Sequence, residues 1–428
     1  MNHLQLFLPC AAGVEEMLRA EVAVITQRAP QDVRQQRGGV SLEATWRDAQ
    51  CLNLQSRLAQ RVLVQLFHAQ YRNEQDLYRA ASGVAWEIWF TPRESIKVEV
   101  TAQHSPLTSL NFAALKIKDA VCDRFRAQAG GVRPDVDTQW PDVRIHAHLT
   151  TDEVFIYIDT SGAALFKRGW REDKGEAPLK ETLAAALIAA SGWARNTELP
   201  LYDPCCGSGT IAIEAAQIAC NIAPGMLRRF AFEKMLPFQA HVWDGIRDQA
   251  QRAQRQVGPS VTVYGSDVAH RMVDFAQRNA QRAGVAAAIE FRGGDALQRM
   301  PPSATAGVML VNPPYGERMD AAGFAGTTQA RRAASAQDGV GPADNGVGRE
   351  AAQVDGGGEF FARLATHWKK HYAGWTAWVL TPDLKLPGKM RLKESRRVPM
   401  WNGPLECRLF RFDMVKGSAR APAAANPP

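Results

Sequence analysis

The sequence contains no run of about 18 consecutive apolar residues, the length a membrane-crossing helix needs, so no membrane span is expected although 46% of its residues are hydrophobic. It has no C-x-x-C pair either. Its seven cysteines, Cys10, Cys51, Cys122, Cys205, Cys206, Cys220 and Cys407, are odd in number and scattered. That pattern argues against both a disulfide framework and a zinc site, so no metal is expected and a reducing cytoplasm is. Adjacent Cys205 and Cys206 are poorly spaced for bridging each other. No basic segment precedes the apolar residues of MNHLQLFLPCAAGVEEML, and the opening reads as a first strand and helix, not as a signal peptide.

What is present is enough chain for more than one core: 428 residues predict about two or three domains. The net charge of +7 is unevenly placed, with 13 basic and 5 acidic residues over 359–428. A basic surface there would draw in a polyanion.

Residues 1–60 alternate strand-like and helix-like pieces: LQLFLPC, then GVEEMLRAEVAVI, then GGVSLEATW after a Gly-Gly turn. Residues 61–165 continue with RVLVQLFHAQ, NEQDLYRAAS, SIKVEVTAQ, FAALKIKDAVCDRFRAQ and the alternating run VRIHAHLTTDEVFIYIDTS, which turns at Thr151-Asp152. This mixture predicts a small α+β module. From about 166 to 416 short apolar strands alternate with longer helices, the mark of a parallel α/β sheet covered on both faces. Two segments depart from this order. Residues 321–356, rich in Ala, Gly, Asp and Gln, predict a flexible insert, and 417–428 a disordered tail.

The strongest chemical signal is Asp203-Pro204-Cys205-Cys206-Gly207-Ser208-Gly209-Thr210, between an apolar strand and an apolar helix. Glycines there allow a tight turn and a close approach to a ligand, at the place where a doubly wound sheet holds nucleotide-like cofactors. No Lys-Ser/Thr follows the last glycine, which argues against a nucleoside triphosphate. The next strand ends at Asp267, a candidate acceptor for ribose hydroxyls, and Asp295 closes IEFRGGDA as a candidate contact to an adenine amine. The decisive element is Asn312-Pro313-Pro314-Tyr315 after the strand GVMLVN. An exocyclic amine is a poor nucleophile because its lone pair is delocalised. Acceptors that hold both its N–H groups favour a pyramidal nitrogen. The Asn312 side-chain oxygen and the Pro313 carbonyl are candidates for that work, prolines fix the backbone, and Tyr315 offers a face for stacking a base.

With these motifs in place, the chain resembles bacterial RNA methyltransferases that carry a THUMP domain before a class I methyltransferase domain, and within them the guanine-N2 methyltransferases of large-subunit ribosomal RNA. LPCAAGVEEMLRAE, LFKRGWRED, APLKETLAAALIAASGW, DPCCGSGTIAIEAA, GSDV, NPPYGERM and NGPLECRLFRF carry the likeness. The resemblance implies a Rossmann-like α/β sheet of seven strands, one antiparallel, with RRVPMWNGPLECRLFRFDM as its final hairpin. That sheet follows a ferredoxin-like segment (1–60) and a THUMP-type RNA-binding module (61–165). It implies S-adenosylmethionine as cofactor, bound by Asp203, Pro204, Cys206, Gly207, Gly209, Thr210, Asp267, Asp295 and Asn312. Asn312, Pro313 and Tyr315 carry over as the catalytic set, with Pro178, Leu179 and Lys180 beside the cofactor. It implies RNA as partner, in 23S ribosomal RNA or a large-subunit precursor, met by Lys167, Arg168 and Arg171; Arg396 and Arg397, in the basic C-terminal stretch, are the other expected phosphate contacts. Some relatives fuse a second methyltransferase, whereas one such domain here implies one type of modification.

The residues alone say only that an exocyclic amine is methylated. Transfer RNA guanine, DNA adenine N6 and a protein glutamine amide therefore stay open as targets, as does a catalytically idle RNA-binding assembly factor.

Overall fold

The computed structural model describes residues 3–175, 178–255, 262–313 and 358–415; Tyr315, the expected insert 321–356 and the expected tail 417–428 lie outside the described residues. In chain order the elements are β1 (Leu4–Pro9), α1 (Glu15–Thr26), β2 (Arg34–Gln36), β3 (Gly39–Ala44), α2 (Trp46–Gln55), β4 (Leu63–Gln70), α3 (Glu74–Gly83), β5 (Ile96–Ala102), α4 (Leu110–Gln128), β6 (Val143–Leu149) and β7 (Glu153–Asp159). They continue with α5 (Glu181–Ser191), β8 (Leu201–Asp203), α6 (Thr210–Ala219), α7 (Ala240–Arg252), β9 (Val263–Asp267), α8 (His270–Arg282), β10 (Ile289–Gly293), β11 (Val308–Val311), α9 (Gly358–His371), β12 (Thr376–Thr381), α10 (Leu386–Met390), β13 (Arg396–Asn402) and β14 (Leu405–Asp413). No described helix is long and apolar enough to cross a membrane.

The chain forms two compact units. The first comprises Met1–Arg171, Lys180–Ala186 and Cys220–Gln256; the second comprises Glu172–Leu179, Leu187–Ala219 and Val257–Pro428. In the first unit one sheet runs β2-β3-β1-β4-β7-β6-β5. The boundary expected near residue 60 falls between β1 and β4, and these two strands pair directly, Leu6 opposite Val64. Local rules set its elements. β6 alternates buried and half-buried side chains along its length, as a one-sided strand must. Asn73 and Asp76 close a capping box at the start of α3, which satisfies amides that the first turn leaves free.

Residues 220–256, expected to belong to the second half of the chain, pack instead within the first unit. The reason is aromatic burial. Phe232 meets Trp243 at 4.9 Å and Trp46 at 6.4 Å between ring centroids, and Trp46 meets Trp89 at 5.9 Å. Buried rings of this size contribute about 0.5–1.5 kcal/mol per pair beyond the area they remove from water.

In the second unit the sheet order is β10-β9-β8-β11-β12-β14-β13. β8, β9, β10, β11 and β12 pair in parallel, and β14 is antiparallel to both β12 and β13. One strand of seven therefore runs against the rest, as the resemblance implied. Met309, Val311, Leu364, Trp368, Val379 and Phe410 belong to a core on this sheet.

Close packing at strand starts yields a stability test. A Cβ on Gly307 would lie 2.0 Å from the Pro200 carbonyl oxygen, whereas one on exposed Gly245 in α7 would meet nothing within 4 Å. Gly307→Ala is expected to lower the urea midpoint by an amount equivalent to about 1–3 kcal/mol. Gly245→Ala is expected to raise it by about 0.5–1 kcal/mol.

Candidate active site

The strand order of the second sheet reverses direction at β8 and β11, and ligands in open α/β sheets bind at the carboxyl ends of strands beside such a switch. Register brings the motifs to that edge. Asp203 pairs with Gly265, Gly293 with Asp267, and Met309 with Tyr202. The turns after β8, β9, β10 and β11, carrying residues 204–209, Asp267, Asp295 and Asn312, thus leave the sheet on one side.

The turn after β8 is held by its own amides. Cys205 N–H donates to Asp203 Oδ1 at 3.1 Å, Gly207 N–H to Asp267 Oδ2 at 2.9 Å, and Gly209 N–H to the Cys206 carbonyl at 2.8 Å. Cys206 N–H donates to the Ser266 carbonyl at 2.9 Å. Gly209 has φ +88, and a Cβ there would lie 2.9 Å from the Cβ of Ala276, so a side chain is excluded twice, by conformation and by space. Pro204, Cys206 and Thr210 are buried around the turn.

The carboxylates differ. Asp267 is half-buried, and its two oxygens accept from Gly207 and from Ala269 at 3.0 Å. Each oxygen keeps a lone pair for a further donor. Asp295 Oδ1 accepts from Leu297 N–H at 2.9 Å. Asp203 is buried, and burial, with the Asp267 charge adding to it, pushes its carboxyl up to about 8. The same surroundings push the thiols of Cys205 and Cys206 well above the usual range, so neither is an activated nucleophile.

Asn312 follows β11 directly. Its Oδ1 is buried and has no hydrogen-bond partner among the described residues. Pro313 is buried beside it.

Two residues not foreseen support the turn. Asn279, fully buried in α8, donates through Nδ2 to the Ser208 carbonyl at 3.1 Å and to the Asp173 carbonyl at 2.8 Å. The Asp173 carboxylate takes Arg278 at 2.8 Å and Arg282 at 2.6 Å, and these bonds hold its carboxyl well below the ordinary range. The signal was available: Asn279 interrupts the otherwise apolar stripe Val273, Ala276 and Ala280 of α8.

The expected basic contacts divide. Lys167 is exposed. Arg168 is not a surface residue: it is 2% exposed, and its guanidinium donates to the carbonyls of Leu165 at 2.9 Å and Arg57 at 2.8 Å. Arg171 is mostly buried in an ion pair with Glu181 at 2.8 Å. Both make these contacts within the first unit, and the burial of Arg168 runs against the RNA contact expected of it. Arg396 and Arg397 are exposed on β13, an edge strand; Arg397 reaches Glu394 at 2.8 Å and covers the Phe410 ring.

Comparison with known proteins adds the following. Residues 5–63 match the RlmL ferredoxin-like domain, 71–159 the THUMP domain, and 168–328 the RMKL-like methyltransferase domain. A protein named ribosomal RNA large subunit methyltransferase K/L from Psychromonas ingrahamii is 35% identical over 413 residues, 96% of this chain and 50% of the relative. Its namesake in Shewanella amazonensis is 35% identical over 97% of this chain and 54% of the relative. The chain thus spans about half the length of the curated relatives it matches. Among solved structures, a possible methylase from Clostridium difficile 630 aligns with TM-score 0.78 and 26% identity, covering 97% of this chain and 99% of that one. A predicted N6-adenine-specific DNA methylase from Listeria monocytogenes aligns with TM-score 0.77 and 27% identity, covering 96% of each chain. A putative methyltransferase solved with SAH shares the fold at TM-score 0.77 and 24% identity, over 96% of this chain and 98% of its own.

The raised pKa of Asp203 has a measurable consequence. The Asp203 carboxyl moves from an ordinary 3.8 to about 8 in the folded chain, so folding takes up a proton between those values. Its contribution to stability is complete below about pH 4 and is lost as pH rises through about 8. Urea midpoints of the ligand-free protein are expected to fall across that window more steeply than those of Asp203→Asn. Parallel curves would remove this carboxyl as the cause.

Proposed function

The chain belongs to the family of THUMP-domain methyltransferases, and on that footing we propose that it methylates the exocyclic N2 amine of a guanine in large-subunit (23S) ribosomal RNA, with S-adenosylmethionine as cofactor. The observation that carries this reading is the buried Oδ1 of Asn312, which has no hydrogen-bond partner among the described residues. An orphaned buried acceptor costs about 1–3 kcal/mol, and the N–H of an amine substrate would complete it. When bound, S-adenosylmethionine supplies an electrophilic methyl group.

The chain's own residues do the rest. Asn312 Oδ1 and the Pro313 carbonyl accept the two N–H groups of the amine, which localises the nitrogen lone pair. Proline at 313 keeps that carbonyl in place and adds no competing donor. Tyr315 is assigned the face on which the base stacks. No strong general base is needed, because the nitrogen becomes acidic once alkylated.

The residues around the turn fit the cofactor. A Cβ on Gly207 would meet nothing within 4 Å, so the turn keeps open space there, and Asp267 retains acceptor capacity suited to ribose hydroxyls. We assign Asp203, Pro204, Cys206, Gly207, Gly209, Thr210, Asp267, Asp295 and Asn312 to this pocket. The complex of a fold relative with SAH supports the assignment, and the names of the curated relatives support ribosomal RNA as substrate. Lys385, Lys389, Arg391 and Lys393, exposed like Arg396 and Arg397, supply positive charge to attract the RNA backbone.

Three measurements test the reading. Ribosomal RNA from cells without the gene is expected to lose one N2-methylguanosine, restored by purified protein and S-adenosylmethionine; an unchanged nucleoside profile points to transfer RNA or to an idle binder. Asn312→Ala is expected to lose about 100-fold or more in turnover, far more than it weakens cofactor binding measured by calorimetry. A near wild-type rate would sink the mechanism. Arg396→Gln with Arg397→Gln is expected to reduce the slope of log affinity against log salt by about 2, and an unchanged slope removes both from the interface.

A further inference from the structure

A cleft of about 620 Å³ opens in the first unit between the start of α2, the turn at Trp86–Ile88 and the segment leading into α7. Trp46, Gln50, Ile88, Leu236 and Pro237 line it, with Arg47 exposed at its edge. None of these residues has a part in the chemistry derived above.

Its polar atoms are unusual. Gln50 is 1% exposed, yet neither Oε1 nor Nε2 has a hydrogen-bond partner among the described residues. Trp46, 8% exposed, leaves its Nε1–H unpaired as well. Interiors satisfy nearly all such groups, and a leucine at position 50 would fill similar space without the penalty of desolvating an amide. Trp46 and Gln50 are four residues apart on α2, so they share one face of the helix. The Trp46 ring is fixed by Trp89 and Phe232. Above these atoms stand apolar walls that water still reaches: Ile88 is 50% and Leu236 53% exposed.

The unpaired set defines the ligand. One acceptor, an amide with two donors and an indole donor call for a flat molecule with an amine beside ring acceptors. Apolar side walls call for a stacking face, and Arg47 at the edge calls for an attached phosphate. A glutamine amide pairs in bidentate fashion with the N6 amine and N7 of adenine, which leaves the purine's other ring nitrogens available to Trp46. A purine also buries more apolar surface against Ile88 and Leu236 than a pyrimidine does. We propose that this cleft captures one unstacked adenine nucleotide of the RNA, read by Gln50 and Trp46 and held by Arg47. The proposal rests on RNA being the substrate, and it adds a second point of recognition in the first unit.

Anisotropy of end-labelled RNA hexamers tests it on the full chain. Hexaadenylate is expected to bind about ten-fold more tightly than a hexamer of equal charge whose bases are replaced by abasic riboses, and more tightly than hexauridylate. Gln50→Leu is expected to bring all three within about two-fold while the thermal midpoint stays level or rises, since an unpaired buried amide is removed. Trp46→Phe keeps a ring and removes only the N–H; it is expected to reduce the preference in part, and it carries the test should Gln50→Leu fail to fold. Equal binding of the hexamers by the wild-type protein overturns the proposal, and so does an adenine preference that survives both substitutions. Absence of adenine preference in a protein that still methylates ribosomal RNA overturns the cleft alone. Absence of all RNA binding and methylation removes the RNA reading beneath it. A protein occupant would show as no adenine preference together with altered sedimentation of Leu236→Asp, and that result also overturns the proposal.

Discussion

One hydrogen bond, from the Gly207 amide to Oδ2 of Asp267, ties the turn after β8 to the end of the neighbouring strand. It can form because parallel pairing puts Asp203 level with Gly265, so that Asp267 arrives just beyond the turn. It also requires Gly265 to have no side chain, for a Cβ there would stand 2.7 Å from the Phe291 ring and 3.3 Å from Cβ of Cys206. The helix after the turn starts at Thr210, and Asn312 leaves β11 along the same edge. The bond ties two strands together at their carboxyl ends, and the chemistry assigned to this edge presupposes it.

The cost of such an arrangement is electrostatic. Burial pushes up the Asp203 carboxyl and the thiols of Cys205 and Cys206, and the neighbouring carboxylates add to it. A positive sulfonium and hydroxyl donors would be favoured beside these carboxylates. The support below is of opposite character: Asp173 is fully matched by Arg278 and Arg282, and Asn279 by two carbonyls. Satisfied supporting bonds of this kind hold a site in place.

Much of this was legible in the chain itself. VRIHAHL alternates so regularly that β6 could be placed by eye, and Gly284, at φ +71, lies two residues past the end of α8. The Gly-rich turn, Asp267 and Asn312 could be found because each sits where an apolar run stops. Arg168 shows what patterning omits. Its charge reads as a surface residue, but the guanidinium is buried on the carbonyls of Leu165 and Arg57, beside Gly169 at φ +99, where a Cβ would lie 2.8 Å from the Leu227 carbonyl oxygen. Helix α7 shows the other limit. Trp243, Ile246 and Ala250 mark its buried face, yet nothing local says that the rings it meets lie beside Trp46 and Trp89, far earlier in the chain. Long-range partners are a property of three dimensions, and a single sequence carries them only as hydrophobic residues without addresses.

The same return of residues 220–256 to the first unit has a bearing on biosynthesis. A ribosome adds roughly 5–20 residues per second and domains tend to fold as they emerge. Here the amino-terminal unit stays incomplete until its last helix has been made, by which time β8 and the turn after it have already left the exit tunnel. Trp46 and Trp89 must wait through that interval with part of their cover still missing. Nascent chains of this protein should therefore be strong clients for whatever shields apolar surface at the tunnel mouth, and a fragment cut at the end of β7 would inherit that exposure permanently.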